Sequence, residues 1–118
     1  MILVDTSVWI DHFRKGDGQL TLLLQEGAVL MHPLIIEELA CGNLTPLCEA
    51  LEFLEALPKA PQASHLEFLD FISRQNLHGL GLGAIDIHLL ASARLSQAPI
   101  FSRDKNLSWA AKRLGILA

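Results

Sequence analysis

Ile2-Leu3-Val4-Asp5-Thr6-Ser7, at the head of the chain, decides how the rest is read. A short apolar run gives way at once to three residues that cap helices well, so a buried strand feeding a helix is predicted, the start of a β-α unit. That helix is predicted over Ser7 to Arg14 and stops at Lys15-Gly16, glycine being a good C-terminal stop. Near the other end, Pro99-Ile100-Phe101-Ser102 repeats the pattern as a strand running into Arg103-Asp104. A helix is predicted from about Lys105 to Leu114, closed by Gly115, and Ile116-Leu117 is read as an edge strand.

Between these ends the same alternation continues. Leu20, Leu23 and Leu24 keep helical spacing up to Glu26-Gly27, and Ala28-Val29-Leu30-Met31 reads as a second buried strand. His32-Pro33 opens a helix with proline in its first turn, running to Ala40 and stopping near Gly42. Leu47, Leu51, Leu54 and Leu57 form an apolar stripe opposite Glu49, Glu52 and Glu55. Pro58-Lys59-Ala60-Pro61 breaks the chain with a short edge strand, and Leu66, Phe68, Leu69, Phe71 and Ile72 mark another amphipathic helix. Gly79-Leu80-Gly81-Leu82-Gly83 is a loop without the lysine and spacing of a phosphate-binding P-loop. An apolar helix follows from Ala84 to Leu95. Short buried strands alternating with helices imply an α/β fold, a mostly parallel sheet with helices on both faces, in one domain over residues 1–118.

Composition sets the outer limits. The chain is 51% hydrophobic, with a mean hydropathy of +0.36, so either the core is unusually apolar or a partner covers part of the surface. No uncharged apolar stretch reaches the roughly 20 residues of a bilayer helix. The opening carries an acid at position 5 and no basic region, so it is not read as a signal peptide, and the expected location is cytoplasmic. Cys41 and Cys48 are read as reduced core residues rather than a disulfide or zinc site. A net charge of −4 argues at first against nucleic acid. Setting aside Asp5, Glu38, Asp86 and Asp104 leaves nine acids against nine lysines and arginines, so RNA is not excluded.

Those four acids fall where a parallel sheet places its ligands, beyond the carboxyl ends of the strands. Asp5 and Asp104 follow strands directly, Asp86 lies in the first turn after the glycine loop, and Glu38 sits about one turn into the helix after the second strand. Singly, Asp5 and Asp104 read as N-caps, Asp86 as a favourable charge at a helix start, and Glu38 as a solvated helix residue. Together they make a hard-oxygen pocket suited to Mg²⁺ on a phosphodiester.

Four segments, Met1 to Ile10 with Asp5-Thr6-Ser7, Glu38-Leu39-Ala40, Asp86-Ile87-His88-Leu89-Leu90-Ala91 and Ser102-Arg103-Asp104-Lys105, stand in the same order as in PIN domains. The chain resembles that family over nearly its whole length, and most closely the VapC toxins of bacterial type II toxin–antitoxin pairs. The resemblance implies a three-layer α/β/α sandwich and a Mg²⁺-dependent endoribonuclease, with Mn²⁺ as a substitute, that cuts cellular RNA such as tRNA or rRNA. It implies a VapB-type antitoxin partner, homodimers, and Asp5, Glu38, Asp86 and Asp104 as the catalytic, metal-holding acids, Asp5 and Asp86 directly. This chain has Glu37 where these toxins commonly carry a small residue, and the alignment selects Glu38.

Thr6 and Ser102 are candidates for orienting carboxylates, or simply for capping the adjacent helices, and Arg103 for holding RNA phosphate. Five histidines raise a metal-free acid–base mechanism, but no spacing among His12, His32, His65, His78 and His88 forces two together. Trp9 and Trp109 are expected to pack against the sheet. The competing function is a catalytically silent PIN-like binding module that keeps the acids as helix caps.

Overall fold

The computed structural model describes residues 1–118. The chain order is β1 (Ile2–Val4), α1 (Thr6–Lys15), α2 (Gly18–Gln25), β2 (Val29–Leu30), α3 (Pro33–Ala40), α4 (Leu47–Glu55), α5 (His65–Gln75), α6 (Ala84–Ser96), β3 (Ile100–Phe101) and α7 (Lys105–Arg113). The helix starts obey local chemistry. Asp5, Asp17, Ser64 and Asp104 each accept a backbone N–H in the first turn of the helix they precede, and Pro33 opens α3. Gly16, with φ of 79°, ends α1 in a conformation that a side chain would strain.

The three strands pair in parallel in the order β2-β1-β3, with Ile2 opposite Val29, Leu3 opposite Leu30 and Ile100, and Val4 opposite Phe101. Both predicted edge strands shrink to single parallel bridges, Met31 with Lys59 and Ile100 with Leu117. Each bridge has two backbone hydrogen bonds, Met31 N–H to Pro58 and Ala60 N–H to Met31, and Ile100 N–H to Ile116 and Ala118 N–H to Ile100.

From β1 the chain steps outward through β2 to Lys59, then crosses to β3 on the other side of β1 and steps outward to Leu117. Right-handed crossovers put α1 to α4 on one face and α5 to α7 on the other, giving three layers. The packing agrees: α1 lies against α2 and α3, α3 against α4, and α5 against α6. The direction reverses between β1 and β3, so a crevice opens beyond their carboxyl ends.

Alternate strand residues point to opposite faces, and Leu3, Val4, Leu30 and Ile100 are all buried. The sheet is therefore an apolar slab covered on both sides. Trp9 is fully buried, stacked on Phe13 at 5.8 Å between ring centres with Phe53 edge-on at 6.2 Å. Two packing expectations are overturned. Cys41 and Cys48 are free but exposed, because they flank the surface turn between α3 and α4 rather than facing the core. Trp109 is 52% exposed, because α7 buries the stripe Leu107, Ala110 and Ala111 and turns residue 109 outward. No helix is long and apolar enough to cross a membrane.

Candidate functional site

Asp5 leaves β1 almost entirely buried, and one of its oxygens is held from two sides. Oδ2 accepts from the Ser7 hydroxyl at 2.8 Å, the Ser102 hydroxyl at 2.9 Å and the Ser7 N–H at 3.3 Å. Each serine oxygen in turn accepts a backbone N–H from the turn after β3, Arg103 on Ser7 and Asp104 on Ser102, both at 3.0 Å. The turn after β1 and the turn after β3 are thus knotted together through one carboxylate oxygen. Oδ1 of Asp5 has no partner within the protein.

The other three acids show the same division. Asp104 caps α7 with Oδ2, accepting from Leu107 N–H at 2.8 Å. Asp86 Oδ2 accepts from Gly83 N–H at 3.3 Å. Glu38 Oε1 accepts from the Thr6 hydroxyl at 2.6 Å. In each case the second oxygen is left unengaged. Capping and site chemistry are therefore not alternatives here, since a carboxylate has two oxygens and the fold uses one.

Asp86 reports that the four lie together. Its pKa is raised, first by burial and then by the charges of Asp5, Asp104 and Glu38, against the lowering effect of the Gly83 N–H. The charges of Asp5, Asp104 and Glu38 thus all reach Asp86, although Asp5 and Asp104 are 99 positions apart in the chain. Glu38, not Glu37, is the one joined to the pocket, through Thr6 and through its effect on Asp86.

No three His, Cys, Asp or Glu side chains close tightly enough to cage an ion by themselves. Mutual repulsion of four carboxylates favours such splaying. Mg²⁺ asks for less, typically one or two carboxylates completed by water and substrate phosphate. The four unengaged carboxylate oxygens, that of Asp86 and those of the three acids acting on it, are hard donors of the right kind, so the residue types fit a divalent ion.

Thr6 donates to Glu38 and Ser102 to Asp5, and Ser7, which sequence reading passed over, holds Asp5 as closely as Ser102 does. Its bond to Asp5 is local, while its links to Ser102 and Arg103 span 95 and 96 residues and are invisible in sequence. Arg103 is placed differently from its reading as a phosphate contact. Its guanidinium pairs with Asp11 and Asp17, reaches Gln19 at 3.4 Å and lies 5.2 Å from the Phe101 ring centre. It clasps α1 and α2 to the β3–α7 turn.

His32 is fully buried at the start of α3. Its Nδ1 accepts from Leu34 N–H at 3.0 Å, and Nε2 has no partner. Burial, then the nearby His88, lowers its pKa to about 4, so the ring is neutral near pH 7. His88 stacks on Phe68 at 4.2 Å. The fold brings these two histidines near one another, but burial denies His32 any substrate, which removes the metal-free acid–base pair. A groove of about 350 Å³ borders the acids on the Glu38 side, lined by Ile10, Phe13, Arg14, Leu39 and Leu44 among others.

A PIN domain family model matches residues 2–113. The Mycobacterium tuberculosis proteins named Ribonuclease VapC32, from strains CDC 1551 / Oshkosh and H37Rv, are each 44% identical to the chain over 117 residues, covering 98% of it and 94% of their own length. Among solved structures, FitAcB from Neisseria gonorrhoeae superposes with a TM-score of 0.66 at 21% identity, covering 95% of this chain and 94% of that one. PAE2754 from Pyrobaculum aerophilum gives 0.66 at 14% identity, covering 92% and 83%.

Proposed function

The chain belongs to the PIN domain family, and on that premise we propose that it is the toxin ribonuclease of a VapBC-type pair, a Mg²⁺- or Mn²⁺-dependent endoribonuclease acting on cellular RNA in the cytosol. The observation that carries the reading is the shared division of the four acids, one oxygen bound into the fold and the other unengaged, with the charges of Asp5, Asp104 and Glu38 all acting on Asp86. The relatives named as ribonucleases support it at 44% identity over nearly the full chain.

In this reading Asp5 and Asp86 hold the ion directly, and Glu38 and Asp104 act through water or a second ion. A bound divalent ion would supply charge neutralisation at phosphate and a more acidic water. The protein's own part is positional. Ser7 and Ser102 fix the rotamer of Asp5, Thr6 aims Glu38, and the Gly83 N–H steadies Asp86. A cognate VapB-type antitoxin and a second copy of the chain complete the assembly, in keeping with the 51% hydrophobic composition.

The test is cleavage of total bacterial RNA by the purified protein with Mg²⁺, with chelator, and as Asp5→Asn. Discrete fragments that need both the ion and Asp5 support the reading, whereas cleavage that survives both losses overturns it. The silent-module reading is favoured by one fact, that Asp5, Asp86 and Asp104 all make capping contacts. Absence of any cleavage by a folded protein would select it.

A further inference from the structure

We propose that the outward face of α7 is a docking track for single-stranded RNA, with Trp109 as a stacking platform for a base and Lys105, Lys112 and Arg113 as the cations facing its phosphates. The inference rests on the ribonuclease reading and names the surface that would bring the strand to that site.

Charge marks this helix first. Of nine lysines and arginines, Lys59, Arg74 and Arg103 are the three in ion pairs. Three of the remaining six stand on α7, which contains no acidic residue, in a protein of net charge −4. At about 100° per residue, Lys105, Trp109, Lys112 and Arg113 fall within an arc of about 100°. The buried stripe of Leu107, Ala110 and Ala111 lies on the other side.

Trp109 is a built surface rather than a stray aromatic. The Arg113 guanidinium lies 5.3 Å from its ring centre. Arg113 is itself anchored on the carbonyls of Gln75 and Asn76 at the end of α5, the second at 3.2 Å. Those anchors are neutral, so the charge of Arg113 stays uncompensated. The indole is held from one side yet remains 52% exposed. A pre-positioned ring loses little freedom on binding, and a base can stack on it whatever its identity.

The track leads to the acids. Lys105 follows Asp104 directly, and Trp109 lies about 6 Å beyond Lys105 along the helix axis. Asn106 of the same helix lies against Gly81 of the loop that precedes Asp86. Four carboxylates repel a polyanion, so a cationic, aromatic approach beside them meets a need that the pocket itself creates. Sequence reading assigned Trp109 to the core, and its exposure is what redirects it.

The test uses the full chain carrying Asp5→Asn, which binds without cutting, and labelled oligouridylate and oligoadenylate of about 12 nucleotides, within the site sizes of such surfaces. Trp109→Ala is expected to weaken binding about 5- to 100-fold, with Trp109→Phe restoring most of it. Tryptophan fluorescence is expected to quench on RNA addition in the parent and not in Trp109→Phe, because Trp9 is fully buried. Lys105→Ala with Lys112→Ala is expected to reduce the salt slope of log affinity by about 1.4. In the cleaving protein, Trp109→Ala is expected to raise KM more than it lowers kcat. Cleavage by wild type with affinity and KM unchanged in Trp109→Ala overturns this inference alone. No cleavage and no RNA binding by wild type overturns the ribonuclease reading with it. A dimer lost in Trp109→Ala at unchanged RNA affinity assigns the face to a second copy and overturns the RNA track.

Discussion

Asp5 and Asp104 stand on two turns whose backbones Ser7 and Ser102 lace together, whereas Glu38 and Asp86 stand on helices α3 and α6 with no such lacing. The first pair is fixed by strands that share a ladder, since Asp5 N–H donates to Phe101 at 2.9 Å. The second pair belongs to helices from opposite faces of the sheet, and their spacing follows how each helix seats on the core. One half is therefore tied across the sheet at its backbone, and the other rests on how two helices seat on the core, with the neighbouring charges raising the pKa of Asp86.

The strongest way to break this contrast is Asp5→Asn. Asparagine caps a helix about as well as aspartate, so the fold and thermal midpoint should hold within a few degrees. Losing several kcal/mol of transition-state charge stabilisation should lower RNA cleavage by about 10³-fold or more. Cleavage within tenfold of wild type would show that the laced half only shapes the fold.

Stability against pH probes the footing of the helix-borne half. His32 caps α3, which carries Glu38, and senses His88 on α6, which carries Asp86. Its folded pKa of about 4 lies below the ordinary 6.5, so the unfolded chain takes the proton first. Stability should be complete above pH 6.5 and fall as pH drops toward 4, by about 3 kcal/mol at most. Asp86 acts in the opposite sense. Its raised pKa means that protonation stabilises the ion-free pocket, while divalent affinity falls in the same acid range. Denaturant midpoints from pH 7 to pH 4 should therefore decline, and His32→Asn should flatten the decline. An unchanged slope would show that His32 does not govern the acid limit.

Next in size are the serines. Ser7→Ala or Ser102→Ala should each weaken divalent affinity about 10- to 100-fold. The double variant should lose less than the product, because both hydroxyls bind the same Asp5 oxygen. Isothermal titration with Mn²⁺ would measure it, and strict additivity would mean that the two hydroxyls do not act as a unit.

What sequence could and could not reveal follows the same line. Asp5 and Asp104 were legible because a cap after a strand is a local pattern, and α3 was legible from His32-Pro33. Ser7 was not, since its local bond to Asp5 looks like ordinary helix capping until Ser102 and Arg103 join it. Arg103 looked free beside Asp104 until α1 and α2 brought Asp11, Asp17 and Gln19 to it. Cys41, Cys48 and Trp109 were misplaced because apolar character does not say which side of a short helix or turn faces inward. Local contacts hold Asp5 through Ser7, Asp86 through Gly83 and Asp104 through Leu107, and tertiary contacts, invisible in sequence, add Ser102 on Asp5 and Thr6 on Glu38.

Glu37 and Glu38 give the finest test, because they are neighbours on one helix and differ only in direction. Successive helix residues point about 100° apart, and only Glu38 meets Thr6 and raises the pKa of Asp86. Glu38→Gln should keep the Thr6 contact through its amide oxygen while removing a charge, lowering cleavage about tenfold and shifting the pKa of Asp86 downward. Glu37→Gln should leave both within twofold. Cleavage rates and the pH profile of Mn²⁺ binding separate the two. If Glu37→Gln proves the more damaging, α3 must be rotated by about one residue from its seat here, and the helix-borne half would be looser than one hydrogen bond per acid implies.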